Sequence, residues 1–286
     1  MKTRQIGPFT VSAIGLGGMP MSIEGRPDRA RSIATIHAAL DAGVRHIDTA
    51  FAYRVPLDAE QHNELLIAEA LRSWPGDVSE VLVATKGGHF RHPYSGADWP
   101  LAGQPAWLKT CAKESVRALG VEAISLYYYH RPDPRVPYAD SIGALADLLA
   151  EGVIVKAGIS NANPEQIKLA LSILGEDLVA VQNQFSPAFR SSEPELELCA
   201  ELGIAFLPWS PLGGIANAGG LADRFAAFGE VARDHGVSPQ QVALAWELAK
   251  GDHVIPIPGS SRPETILDSL AAADLELTPE ELALLG

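Results

Sequence analysis

Cysteine is scarce, with only Cys111 and Cys199 in 286 residues. Both fall in stretches of helical periodicity. That argues against a structural disulfide, so a reducing, cytoplasmic setting is expected. The two thiols read as small buried hydrophobes. No uninterrupted apolar run reaches the ~20 residues that a membrane-spanning helix needs. Residues 1–10 lack the apolar core of a signal peptide, so none is expected. Positive charge is also in short supply. Lys and Arg number 22 against 35 Asp and Glu, for a net charge of -13. That balance excludes nucleic acid and anionic membranes as expected partners. Any anionic ligand would need a local cationic site working against the field of the whole molecule. No His, Asp or Glu cluster has metal-ligand spacing, so no metal is expected.

What is present is apolar mass and alternation. Hydrophobic residues make up 47% of the chain, enough for a large core. Gly7-Pro8 separates two short strand-like runs and predicts a hairpin. Ala13 to Leu16 reads as the first barrel strand. Its Gly17-Gly18 end is not a dinucleotide fingerprint, because Pro20 takes the third glycine's place and no helix follows directly. Helices are expected over 29–41, capped by Asp28, and over 60–72, 105–119 and 138–151. One starts at Asn163-Pro164, and others follow over 193–201, 221–234, 239–250, 263–273 and 279–285, the last capped by Thr278. Short apolar strands lie between them, among them 44–47 and, last, Val254-Ile255. Asn163 with Gln166, and Ser238 with Gln241, have capping-box spacing. Continuous apolar strands alternating with helices predict a parallel sheet covered by helices. Eight such units in this length favour a closed (β/α)8 barrel, an α/β fold with an N-terminal hairpin and extra helices. No linker divides the chain, so one domain, 1–286, is expected.

Chemistry concentrates at strand ends. VRHIDTAFAY (44–53) opens as a strand, reaches Asp48, and carries Tyr53 in the loop beyond. VLVAT (81–85) ends in Lys86, and Ile124 to Tyr129 ends in His130. The carboxyl ends of barrel strands are where such folds place catalytic groups. Singly, Asp48 reads as a cap or ion-pair partner, Tyr53 as a loop residue and His130 as a core histidine. Lys86 is harder to explain away, since a charge directly after VLVAT is costly unless paired. The loop 87–104 follows. It is long and holds Phe90, His92, Tyr94 and Trp99, as functional loops often do.

Taken together, DTAFAY, ATKGG and YYYHRPDP resemble the aldo-keto reductase superfamily over almost the whole chain. YYYHRPDP and GSSRPE look more like its bacterial and plant members of pyridoxal-reductase or sugar-aldehyde-reductase type. The resemblance implies a catalytic tetrad of Asp48, Tyr53, Lys86 and His130, with Tyr53 as proton donor. Residue chemistry gives the roles: Lys86 would lower the phenol pKa, Asp48 would hold Lys86, and His130 would orient the carbonyl or relay the proton. The resemblance also implies NADP(H) and a small-molecule carbonyl substrate, in a monomer or weak homo-oligomer. Ser160, Asn161 and Gln182 would hold the nicotinamide carboxamide, and Trp209 would stack on the ring. Ser210, Leu212 and Gly213 would meet the pyrophosphate. Gly259, Ser260, Ser261 and Arg262 would take the 2′-phosphate, and Ser269 stands where some relatives have an adenine-binding Asn. A non-enzymatic alternative shares these features, namely an NADP-binding regulatory subunit of the potassium-channel β-subunit type.

Overall fold

A computed structural model describes the chain apart from residues 57, 59, 60 and 92–98. It opens with a hairpin of β1 (Thr3–Ile6) and β2 (Phe9–Ser12), turning at Gly7 with φ 53°. A Cβ on Gly7 would lie 2.5 Å from Val179 Cγ1, so the turn packs directly under the barrel. Ile6 and Val11 are buried with Leu82, Leu126 and Val179. The hairpin therefore plugs the end where the strands begin, leaving the other end for chemistry.

The barrel strands are β3 (Leu16–Gly17), β4 (His46–Asp48), β5 (Leu82–Gly87), β6 (Ile124–Tyr129), β7 (Ile154–Ser160), β8 (Leu178–Gln182) and β9 (Ala205–Phe206). They are parallel and adjacent in chain order. The expected eighth strand at Val254-Ile255 is present but irregular. Ile255 and Ile257 donate their N–H groups to Phe206 and Pro208, while Pro256 and Pro258 accept from Gly15 and Gly17. This segment bridges β9 to β3 and closes the (β/α)8 barrel. The two prolines have no N–H for the β3 side, which interrupts the regular ladder there.

Around the strands lie α1 (Arg29–Asp41), α2 (His62–Ser73), α3 (Pro105–Leu119), α4 (Tyr138–Ala150), α5 (Pro164–Leu174) and α6 (Glu193–Leu202). They are followed by α7 (Leu221–Arg224), α8 (Ala226–His235), α9 (Pro239–Leu248), α10 (Pro263–Ala271) and α11 (Pro279–Leu285). Among the described residues no helix is long and apolar enough to cross a membrane. Local signals set many of the ends. Asp28 accepts from the Arg31 amide at 2.8 Å, and Asn163 with Gln166 forms a complete capping box.

Three expectations need correction. The helix expected over 221–234 is two helices, broken at Phe225 (φ -132°, ψ 80°), whose ring packs edge-on against Phe228. Ser238 caps α9, but the box is incomplete because the Gln241 side chain donates to Asp268 instead. The strand at 44–47 begins later, because the Val44 amide still bonds Ala39 O at the end of α1.

Candidate active site

β4 ends in Asp48, and the chain then runs on beside β5. The Thr49 amide donates to Ala84 O at 2.8 Å and the Phe51 amide to Lys86 O at 3.0 Å. These bonds carry the loop over the barrel mouth and bring Tyr53 back above Lys86. His130 follows β6 and is fixed by its own amide, which donates to Gly87 O at 2.8 Å. Gly158 makes room here, because a Cβ on it would lie 2.4 Å from the Tyr128 ring.

The structure brings Asp48, Tyr53, Lys86 and His130 together. Lys86 is 1% exposed and Asp48 2%. The Lys86 ammonium donates to Asp48 Oδ1, to Thr49 O at 2.8 Å and to Tyr53 Oη at 3.3 Å. That accounts for all three of its protons. Asp48 Oδ2 accepts from Gln182 Nε2 at 2.7 Å, so both carboxylate oxygens are held. A buried charge is tolerable only with such partners. The Tyr53 and His130 rings meet edge-on at 5.8 Å.

The protonation states follow from burial and neighbours. Burial works against the Lys86 charge, but Asp48 and Tyr53 outweigh it and raise the pKa, keeping Lys86 cationic. Burial raises the Tyr53 pKa, and Lys86 pulls it down without reversing the direction, while Asp48 adds to the rise. The expectation of a lowered phenol pKa is thus corrected. Tyr53 stays protonated at neutral pH. Burial holds His130 well below the usual imidazole range, and His89, Lys86 and Arg131 add to the effect. His130 is therefore neutral. Its Nδ1 is buried without a hydrogen-bond partner. An unpartnered buried N–H is the worse arrangement, so the proton belongs on Nε2.

A cleft of about 640 Å³ opens above these groups. Asp48, Tyr53, His130, Ser160, Asn161, Gln182, Trp209, Ser210, Leu212 and Gly259 all line it. Gly213, Ser260, Ser261 and Arg262 lie beyond its lining. Asn161 and Ser210 have positive φ, 57° and 52°, as does Gly213 at 80°. Asn161 Nδ2 donates to His130 O and Ser160 Oγ, and its Oδ1 accepts from Arg131. Ser260 is 4% exposed, and its hydroxyl bonds Thr265 Oγ1 and Arg262 O, tying down the turn into α10. Arg262 is exposed at the start of α10, and among the described residues it makes no ion pair. Ser269 is buried and spends its hydroxyl on Thr265 O.

Of the aromatic loop, Trp99 lines the cleft, edge-on to Tyr53 at 6.0 Å. His92 and Tyr94 lie outside the described residues. Sequence reasoning passed over His89, which lines the cleft with its ring 4.5 Å from that of His130. A histidine three positions past the strand-end lysine was the available signal. Glu64 was also missed. It is fully buried in α2 and accepts from Thr85 Oγ1 at 2.5 Å.

Comparison with known proteins adds four findings. The family model described as "Aldo/keto reductase family" matches residues 13–285. An uncharacterised oxidoreductase of Schizosaccharomyces pombe is 33% identical over 98% of this chain and 88% of its own length. A probable aldo-keto reductase of Glycine max is 31% identical over 96% of this chain and 84% of its own. Among solved structures, an aldo/keto reductase of Klebsiella pneumoniae in complex with NADP and acetate superposes with TM-score 0.81. It is 28% identical, covering 99% of this chain and 94% of that one.

Proposed function

The chain belongs to the aldo/keto reductase family of oxidoreductases, and we propose that it reduces aldehydes or ketones to alcohols with NADPH, Tyr53 giving the proton. The observation that carries this reading is the buried Asp48–Lys86–Tyr53 chain of hydrogen bonds at the base of the cleft. The residues present fit the cofactor. Trp209 offers an aromatic wall with an unpartnered buried Nε1. Ser160 Oγ already accepts from Asn161, so its own proton is free for a carboxamide oxygen. Asn161 Oδ1 and Gln182 Oε1 can accept from the amide. Beside Gly214 there is open space, its absent Cβ having Ser210 Oγ as nearest neighbour at 3.9 Å. Ser261 and Arg262 at the positive end of α10 suit the 2′-phosphate.

When bound, the reduced nicotinamide supplies hydride to the carbonyl carbon. The protein handles the charge that develops on the oxygen. Neutral His130 points the substrate oxygen toward Tyr53 through an Nε2–H donor. Tyr53 gives up its proton to that oxygen as the charge grows. Lys86 stabilises the phenolate left behind, and Asp48 keeps the ammonium in place and balances it. In free solution Tyr53 would be too weak an acid at neutral pH, and the Lys86 hydrogen bond strengthens most in the transition state. Trp99, Leu101 and Trp209 give the cleft apolar wall for the substrate's carbon skeleton.

A panel of aldehydes and ketones, followed by loss of nicotinamide absorbance with NADPH and NADH, tests the reading. Turnover with NADPH on several carbonyls is expected. Absence of turnover on the whole panel would refute it.

A further inference from the structure

Of the polar groups in the cleft, His89 has no part in the chemistry described above. It follows Gly87 and Gly88, the latter with φ 113°, a conformation that swings the chain off β5 and over the barrel mouth. Its Nδ1 faces two backbone carbonyls, Trp99 O at 3.0 Å and Pro100 O at 3.2 Å. Carbonyls only accept, so Nδ1 must carry the proton. Nε2, on the far side of the ring, is then a lone-pair acceptor. Burial lowers the His89 pKa, and Arg131 adds to this while the two carbonyls oppose it, so the ring is neutral. The backbone fixes the tautomer further. Ala102 N bonds Gly88 O at 2.9 Å, and His89 bridges Leu101, so the carbonyl pair cannot turn away without undoing this pairing.

His130 donates into the cleft while His89 accepts, with the two rings edge-on and 4.5 Å apart. A simple carbonyl uses only the first. A carbonyl with a hydroxyl on the neighbouring carbon can use both, its oxygen on His130 and its O–H on His89. We propose that His89 is a specificity-determining residue, whose Nε2 selects carbonyl substrates that carry a hydroxyl next to the reacting carbon. The inference rests on the reductase reading and adds the class of substrate to it. A site built to accept from a hydroxyl discriminates against the analogue that lacks one, because its polar atom is then left unpaired.

The test uses lactaldehyde and propanal, which differ by one hydroxyl, and three proteins: wild type, His89→Asn and His89→Phe. Asn keeps a side-chain N–H for the Trp99 and Pro100 carbonyls but has nothing at the Nε2 position. Phe keeps the ring and loses both nitrogens. In both variants the lactaldehyde-to-propanal ratio of kcat/KM is expected to fall roughly tenfold. Propanal reduction and the NADPH dissociation constant should change by no more than a few-fold. An equal loss on both substrates, or an unchanged ratio, would overturn the proposal and reduce His89 to a loop anchor. If His89→Phe does not fold, His89→Asn decides alone. Wild type that reduces neither aldehyde nor any other carbonyl would refute the reductase reading itself, and this inference with it.

Discussion

Glu64→Gln isolates the energetic consequence of a buried carboxyl beside the active site. Glu64 is fully buried, with Oε1 bonded to Thr85 and Oε2 without a partner. Burial raises its pKa to about 7, against the pull of Ser115, Thr85 and Lys86 toward the charged form. Its ordinary value is 4.5. The folded state therefore holds this proton more tightly than the unfolded chain does. The stabilisation is complete below about pH 4.5, falls as pH rises toward about 7, and does not fall further above that. The rise from 4.5 to about 7 corresponds to about 3 kcal/mol as an order of magnitude. Gln carries no such proton and still offers an oxygen to Thr85. Thermal unfolding of both proteins across pH 4.5 to 8 reads the difference. Relative to wild type, Glu64→Gln should gain several degrees in Tm as pH rises through this window. Parallel Tm curves would show that Glu64 is already ionised when buried, and would refute the reasoning.

Further outcomes are expected elsewhere. Arg262→Ala should weaken NADPH roughly tenfold to a hundredfold and leave NADH nearly unchanged, since one charged hydrogen bond is worth about 1.5–3 kcal/mol; dissociation constants for both cofactors check it. Glu247 in α9 is fully buried with neither carboxyl oxygen bonded, so burial raises its pKa well above the ordinary value and keeps it neutral. Glu247→Met should stabilise the protein by about 1–3 kcal/mol, read by denaturant unfolding at pH 7.

Local signals were the legible part of the fold. Asp28, Asn163 with Gln166, and Thr278 each mark a helix start within a few residues, and the structure uses all three. Where a distant group competes, the local reading fails. Gln241 has capping-box spacing, yet Asp268 from α10 takes its side chain. The apolar pattern over 221–234 is helical throughout, and nothing local marks the break at Phe225, which packing imposes. The strand ends carrying Asp48, Lys86 and His130 were readable because ionisable side chains seldom follow a buried strand. The sign of the Tyr53 shift was not readable. It is the balance of burial, Lys86 and Asp48, and only distances weigh those against one another. Ser260 shows the same limit. A serine before a helix suits both a phosphate and a turn, and here its hydroxyl is spent on Thr265 and Arg262.

The central claim is that Tyr53 delivers the proton from its place on Lys86. Tyr53→Phe keeps the ring against Trp99 and His130 and removes only the hydroxyl. Turnover with NADPH and a substrate identified from the carbonyl panel, measured alongside NADPH affinity, is the most direct test. The account predicts a fall in kcat of roughly 10²–10⁴-fold with NADPH binding within a few-fold of wild type. A folded Tyr53→Phe enzyme that binds NADPH and turns over at near wild-type rate would contradict it.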